Sequence, residues 1–201
     1  MYLYDKTPNI LIEHIFTEEE YSHLYNNINN TPQSRISRVA DTGYFAIGDP
    51  IDEKLDTVIL NHLEKITGTK LKKYMAHHAR YTKDQSSAPI LRPHYDVGLE
   101  FATVSLSIVL NTTIDWDIFA EGTKFNAKTN QAVTFSGSHQ IHWRPTIEFG
   151  DNDYYDIIVC QYMEIDPIPI TDEHRRNMEN RLMKVLREWE LDYIKPHERD
   201  K

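Results

Sequence analysis

The sequence predicts a mainly β protein with flanking helices, and three observations predict it. From Phe101 to Asn111 the chain alternates, with Val104, Leu106, Ile108 and Leu110 on one face. Thr103, Ser105, Ser107 and Asn111 fall on the other, as expected of a strand with one greasy side and one side lining a polar pocket. Leu71 to Lys83 reads as a second strand, closed by the polar loop Asp84-Gln-Ser-Ser-Ala-Pro89. Helical spacing, by contrast, is confined to the two ends of the chain.

Taken in order, Ile12 begins a short hydrophobic run that passes into Phe16-Thr-Glu-Glu-Glu20. Thr17 and Glu20 form a capping box that opens a helix through Asn29. Asp49-Pro50 caps a second helix, with Ile51, Leu55, Val58, Ile59 and Ile66 as its apolar stripe and Gly68 as its stop. The strand Leu71–Lys83 follows, then His94-Tyr95-Asp96 with Gly98 directly after it, where the chain bends away. Beyond the alternating strand, Ser138-His-Gln-Ile-His-Trp-Arg-Pro145 is a further strand-like segment. Thr171 opens the last helix, where Met178, Leu182, Val185, Leu186 and Trp189 recur at helical spacing as core or dimer contacts. The expected organisation is one domain over residues 1–201, with a β core over 71–165 and helical support from 17–67 and 171–194.

The chemistry concentrates at His94 and Asp96. Two residues apart on an extended chain, their side chains leave the same side of the sheet and can converge on one ion. A second histidine would complete two imidazoles and one carboxylate, the facial set that holds a divalent iron and leaves its opposite face open. His139 and His142 both qualify by type, and on a strand they point to opposite faces. His142 shares its face with Arg144, a cation suited to a carboxylate-bearing cosubstrate, and is therefore preferred; His139 shares a face with Ile141 and Trp143. The adjacent pair His77-His78 points apart on a strand and is read as structural. Asp115 and Asp117, flanking Trp116, read as a solvated face, and Trp143 as either core packing or substrate wall.

Composition narrows the classes. Lys and Arg number 22 against 31 Asp and Glu, and the net charge of −9 argues against dedicated nucleic-acid binding. Lys65, Lys70, Lys72, Lys73, Arg80 and Lys83 form a local basic stretch, best read as a sheet edge protected by lysines. Hydrophobic residues at 40% and charged ones at 26% are ordinary for a soluble globular protein, and no apolar run is long enough to span a bilayer. The opening Met-Tyr-Leu-Tyr-Asp-Lys lacks the pattern of a signal peptide. The single cysteine, Cys160 in an apolar strand, cannot form an internal disulfide and is expected in the core; a cytoplasmic location is expected.

Several motifs together carry a resemblance: Arg80-Tyr81, His94-Tyr-Asp96, Trp116-Asp-Ile-Phe119, Ala132-Val-Thr-Phe-Ser-Gly137 and His142-Trp-Arg-Pro145. In that order the chain resembles the Fe(II)/2-oxoglutarate-dependent dioxygenases, and within them the prolyl 4-hydroxylase-like branch, over residues 10–165. The opening strand and helix of that branch are similar to Ile12–Leu24. The resemblance implies a double-stranded β-helix (jelly roll), with His94 and Asp96 at the end of its second strand, His142 on its seventh and Asp153–Tyr162 as its eighth. It implies Fe(II), 2-oxoglutarate and O2 as cofactor and cosubstrates, with His94, Asp96 and His142 as catalytic metal ligands. The activity implied is hydroxylation of a C–H bond with release of succinate and CO2. Asp96 favours this over halogenation, for which that ligand position must be vacant.

The family often anchors the far carboxylate of 2-oxoglutarate with a Lys or Arg on the eighth strand. Here the stretch from Pro145 to Glu173 contains neither. Arg144 is the first candidate for that role and Arg80 the second, with Tyr81 as a hydroxyl donor and Ser105 and Ser107 as further hydrogen-bond partners. The implied substrate is a peptidyl residue, proline favoured, or a small amino-acid-like metabolite, admitted between the loop at 84–92 and the segment 34–49 with Arg35, Arg38 and Tyr44. Two other classes stand beside this one: a cupin-like metal enzyme that does not use 2-oxoglutarate, and an inactive jelly-roll binding module. Oligomeric state is left open by the sequence.

Overall fold

In the computed structural model, which describes residues 3–39, 44–83, 91–96 and 100–190, the β character is realised as two antiparallel sheets. The strands are β1 (Ile10–Ile12), β2 (Ile36–Val39), β3 (Tyr44–Ile47), β4 (Leu71–Thr82), β5 (Leu91–His94), β6 (Val104–Thr112), β7 (Ile118–Ala120), β8 (Thr123–Phe125), β9 (Ala132–Phe135), β10 (His142–Arg144) and β11 (Tyr154–Glu164). The helices are α1 (Leu3–Lys6), α2 (Glu18–Asn29), α3 (Glu53–Thr67) and α4 (Asp172–Trp189). The large sheet runs β1-β9-β6-β11-β4-β3-β2 and the small one β5-β10-β7-β8.

Eight consecutive strands, β4 to β11, divide four and four between the two sheets, which is the double-stranded β-helix expected. Counted from β4, His94 ends the second strand and His142 begins the seventh, while β11 is the eighth. β1 and the hairpin β2–β3 lengthen the large sheet on either side. That hairpin corrects the expectation of purely helical support over 17–67. Its strands are four residues each and carry little periodicity of their own; pairing of Phe45, Ala46 and Ile47 with β4 is what extends them.

The alternation of β6 sorts the interior into two cores. Val104, Leu106, Ile108 and Leu110 face Leu24, Leu55, Ile59 and Leu63 of α2 and α3, with Ile158 and Cys160 of β11 beside them. The opposite face of the large sheet looks into the β-helix, where Ala79, Tyr81, Val109, Trp116, Ile118, Phe135, Tyr155 and Ile157 pack together. α4 covers the small-sheet side through Met178, which joins Tyr95 and Ile141. Among the described residues no helix is long and apolar enough to cross a membrane.

Local signals explain the helix boundaries. At α2 the capping box closes both ways: the Thr17 hydroxyl accepts from Glu20 N, and the Thr17 amide donates to the Glu20 carboxylate. α4 is opened by Thr171 as expected. α3 starts three residues later than expected. Its cap is Asp52, which accepts from Leu55 N, whereas Asp49 accepts from Ile51 N and holds the turn before it. Gly68 takes the left-handed conformation (φ 66°) that ends α3.

On the helix-facing side of the large sheet, Asp156 is buried and receives two 2.8 Å hydrogen bonds from Arg80. Fully buried His78 lies 3.5 Å away, a contact that is electrostatic rather than a hydrogen bond. Burial alone would raise the Asp156 carboxyl, but Arg80 and then His78 outweigh it and hold its pKa below the ordinary value. A folded pKa below the unfolded one means that this stabilisation is present above about pH 4 and is lost as pH falls through the folded value. Asp156→Ala is expected to cost about 3 kcal/mol at pH 7, and the difference from wild type should shrink on acidification. Chemical denaturation at pH 7 and pH 3 checks both parts.

Candidate active site

β5 and β10 are antiparallel neighbours, and the register sets His142 directly opposite His94. Each imidazole is fixed from behind. His94 Nδ1 lies 2.8 Å from Arg92 O, and His142 Nδ1 lies 3.0 Å from Gln140 O. The carbonyl partners leave both Nε2 atoms free to accept a metal. Asp96 follows β5, its amide donating to Gly137 O at 2.7 Å. Its Oδ1 stands 3.9 Å from His94 Nε2 and 3.7 Å from His142 Nε2. All three donor atoms lie within 4.8 Å of one another, a separation that one divalent ion can bridge.

The second oxygen of Asp96 is held away from that centre. Oδ2 accepts from Gln161 Nε2 at 2.5 Å and from Ser105 Oγ at 3.3 Å. With Oδ2 occupied, Oδ1 is the oxygen presented to the imidazoles. Burial, reinforced by His94, pushes the pKa of His142 down to about 4, so the ring is neutral and its lone pair available at physiological pH. Gly137 makes the arrangement sterically feasible, because a Cβ there would overlap both the Asp96 carboxylate and the Ser105 hydroxyl. Gly137→Ala should therefore weaken divalent-metal binding by about 10–100-fold through displaced Asp96. Calorimetry with Mn(II) reads the effect, and unchanged affinity would show that Asp96 does not serve as a ligand.

A cavity of about 280 Å³ extends from this centre into the β-helix. Arg144 lines it from β10 and is 1% exposed. Its guanidinium donates to Trp116 O at 2.7 Å, to Ser107 Oγ at 3.0 Å and to the Tyr155 hydroxyl at 3.3 Å. It also sits over the Trp116 and Tyr155 rings, 5.2 and 5.0 Å from their centroids. Among the described residues no carboxylate lies within 4.0 Å of Arg144. A buried cation held only by neutral groups is a ready partner for an anion.

The other expected residues divide by strand parity. Tyr81, Ser105 and Ser107 line the cavity. Arg80 does not: adjacent to Tyr81 on β4, it points through the opposite face of the sheet to Asp156, which corrects its assignment as a cosubstrate anchor. His77 and His78 separate in the same way, His77 into the cavity and His78 toward Asp156. His139 is also corrected. The segment 136–141 is a turn rather than strand, with His139 N bonded to Ser136 O, and the His139 ring meets His174 at 3.0 Å instead of approaching Asp96.

Trp143 stacks on Phe119 at 4.0 Å and meets Trp189 edge-on, outside the cavity lining. Asp115 and Asp117 pair with Lys128 and Lys124. Within the basic stretch, Lys70 pairs with Glu64, Lys73 with Asp49 and Lys83 with Asp151. Of the two segments expected at the entrance, Tyr44 of β3 and Leu91 of β5 reach the cavity, whereas 84–90 and Gly98 lie outside the described residues. Gln161, the partner of Asp96 Oδ2, is absent from the sequence expectations. Its signal was a lone amide in the apolar run Ile157-Ile-Val-Cys-Gln-Tyr162.

No protein-family model matches the chain, and no curated protein sequence does. Solved structures do match in fold. A 2-oxoglutarate–Fe(II) oxygenase family member from Burkholderia pseudomallei superposes with TM-score 0.60 at 12% identity, over 83% of this chain and 89% of that one. The fold is that of the 2-oxoglutarate–Fe(II) oxygenases. The α-ketoglutarate-dependent epimerase SnoN of nogalamycin biosynthesis shares it with TM-score 0.66 at 10% identity, over 84% and 83% of the two chains. So does the collagen prolyl hydroxylase of Paramecium Bursaria Chlorella virus-1, in its 2-oxoglutarate complex, with TM-score 0.52 at 14% identity over 81% and 99%. Within this oxygenase fold, epimerisation and prolyl hydroxylation are both represented, so the fold does not select between reactions.

Proposed function

We propose that this chain is an Fe(II)- and 2-oxoglutarate-dependent oxygenase, acting as one domain in the cytoplasm and hydroxylating a C–H bond. One observation carries the reading: the donor atoms of His94, Asp96 and His142 converge within 4.8 Å, in the same cavity as a buried guanidinium that lacks a carboxylate partner among the described residues. The donor set of two imidazoles and one carboxylate oxygen fits iron. When bound, iron supplies the O2 activation that couples decarboxylation of 2-oxoglutarate, to succinate and CO2, with insertion of one oxygen atom into the substrate.

The chain's own residues do the rest. Ser105 and Gln161 orient Asp96, and the Arg92 and Gln140 carbonyls orient the two imidazoles. Arg144 takes the distal carboxylate of 2-oxoglutarate, supported by Ser107. Burial raises the Tyr81 pKa, keeping the phenol protonated as a second donor. An anchor on β10 thus replaces the eighth-strand cation, since β11 presents Ile157, Val159 and Gln161 to the cavity. The substrate is a peptidyl residue, with proline favoured by the resemblance, or a small amino-acid-like metabolite.

Turnover of 2-oxoglutarate tests the reading without a known substrate. Aerobic protein with Fe(II) should release succinate at a slow, substrate-independent rate that His94→Ala abolishes. Iron uptake without succinate formation would favour a triad enzyme that does not use 2-oxoglutarate, and failure to take up iron would favour a binding module.

A further inference from the structure

The cavity has a second wall beyond the groups assigned above. The triad and Arg144 are supported from β6 and β11, by Ser105, Ser107, Tyr155 and Gln161. Toward β3 and β4 the lining is Tyr44, Met75 and His77, with Leu91 at the end of β5 nearby. His77 projects into the cavity and makes no hydrogen bond among the described residues; its ring is held by stacking on Tyr44, 5.8 Å between centroids at 13°. Burial, and then neighbouring His78, lowers its pKa, so the imidazole is neutral.

Charge at the site is already balanced once it is filled. A divalent ion and Arg144 together match Asp96 and the two carboxylates of 2-oxoglutarate. Apart from the triad and Arg144, the lining side chains are neutral tyrosines, serines, a glutamine, His77 and apolar residues. The internal stretches 40–43, 84–90 and 97–99 contain no lysine or arginine. Among the described residues, a charged substrate group would therefore be desolvated beside iron with no counter-ion to receive it.

Resting on the cosubstrate reading above, we propose that the substrate group presented to iron is uncharged and largely apolar, seated against Tyr44 and Met75 and hydrogen-bonded to His77. This selects the side chain of a peptide residue, or a neutral ring, over the charged head group of a free amino acid.

The test uses three probes of one size: benzamide, benzoate and benzylamine, the last protonated at pH 7.5. Each is titrated by calorimetry into protein loaded with redox-inert Ni(II) and 2-oxoglutarate. Benzamide should bind at least about tenfold tighter than either charged probe. His77→Phe keeps the stack on Tyr44 but removes the hydrogen bond, and should weaken benzamide about tenfold. His77→Gln should recover most of the loss. Equal or tighter binding of a charged probe, no binding of benzamide at millimolar concentration, or no effect of His77→Phe would each overturn the proposal. Failure of the cosubstrate reading looks different: 2-oxoglutarate itself would give no binding heat with Ni(II)-loaded protein, and the charge balance, with the proposal built on it, would fall.

Discussion

His142→Ala is expected to weaken Fe(II) binding by at least a hundredfold, about 3 kcal/mol. The ring supplies one of three convergent donors, and alanine offers nothing in its place. The same substitution empties a buried site, because His142 is 4% exposed and packs 4.4 Å from the Phe135 ring centroid. Metal-free protein should therefore also lose about 2 kcal/mol of stability. Two controls separate ligand loss from general damage. His139→Ala removes a histidine three positions away that meets His174 instead, and should leave iron affinity unchanged. A melting curve of the metal-free His142→Ala variant shows whether the residual fold is sufficient to interpret its affinity.

Arg144→Met should produce the opposite separation. Truncating a buried, charge-assisted partner of a carboxylate costs about 2–5 kcal/mol, so 2-oxoglutarate affinity should fall at least about thirtyfold. Metal affinity should remain within about threefold of wild type, because Arg144 bonds Trp116, Ser107 and Tyr155 and none of the three donor residues. Free of cosubstrate, the variant should be no less stable than wild type, since a desolvated cation with no counter-ion among the described residues is replaced by an apolar chain of similar length. Arg80→Met serves as the control. It should lower stability through Asp156 and leave 2-oxoglutarate affinity intact, because its side chain lies on the other face of β4.

The contrast between those arginines shows what could be read in the residues. Parity placed His94 with Asp96, His142 with Arg144, and Ser105 with Ser107, since side-chain direction along an extended segment is local and obligatory. The same rule sets Arg80 opposite to Tyr81, so grouping the two adjacent residues in one pocket conflicted with information already in the sequence. His139 was placed on a strand because Ser138–Pro145 looks uniformly extended. The turn there closes through His139 N and Gln140 N on Ser136 O, and long-range bonds, Ser136 to Thr103 and the Asp96 amide to the Gly137 carbonyl, fix its place.

The hairpin β2–β3 was illegible for a related reason: its four-residue strands form by pairing with β4 and carry no strong period of their own. Thr17, Thr171 and Gly68 were legible because caps act within one turn. Asp49 and Asp52, both able to accept from a nearby amide, were separable only once the path of Ile51 into the core was known. Gln161 acts across two sheets on Asp96, a contact 65 residues apart that no local pattern encodes.

Anaerobic titration of the metal-free protein with Fe(II), with and without 2-oxoglutarate, followed by visible absorption, tests the central claim most directly. A charge-transfer band that needs both additions, disappears in His142→Ala and demands far higher 2-oxoglutarate in Arg144→Met is the result expected. Stoichiometric Fe(II) binding with no such band at saturating 2-oxoglutarate would contradict the cosubstrate assignment.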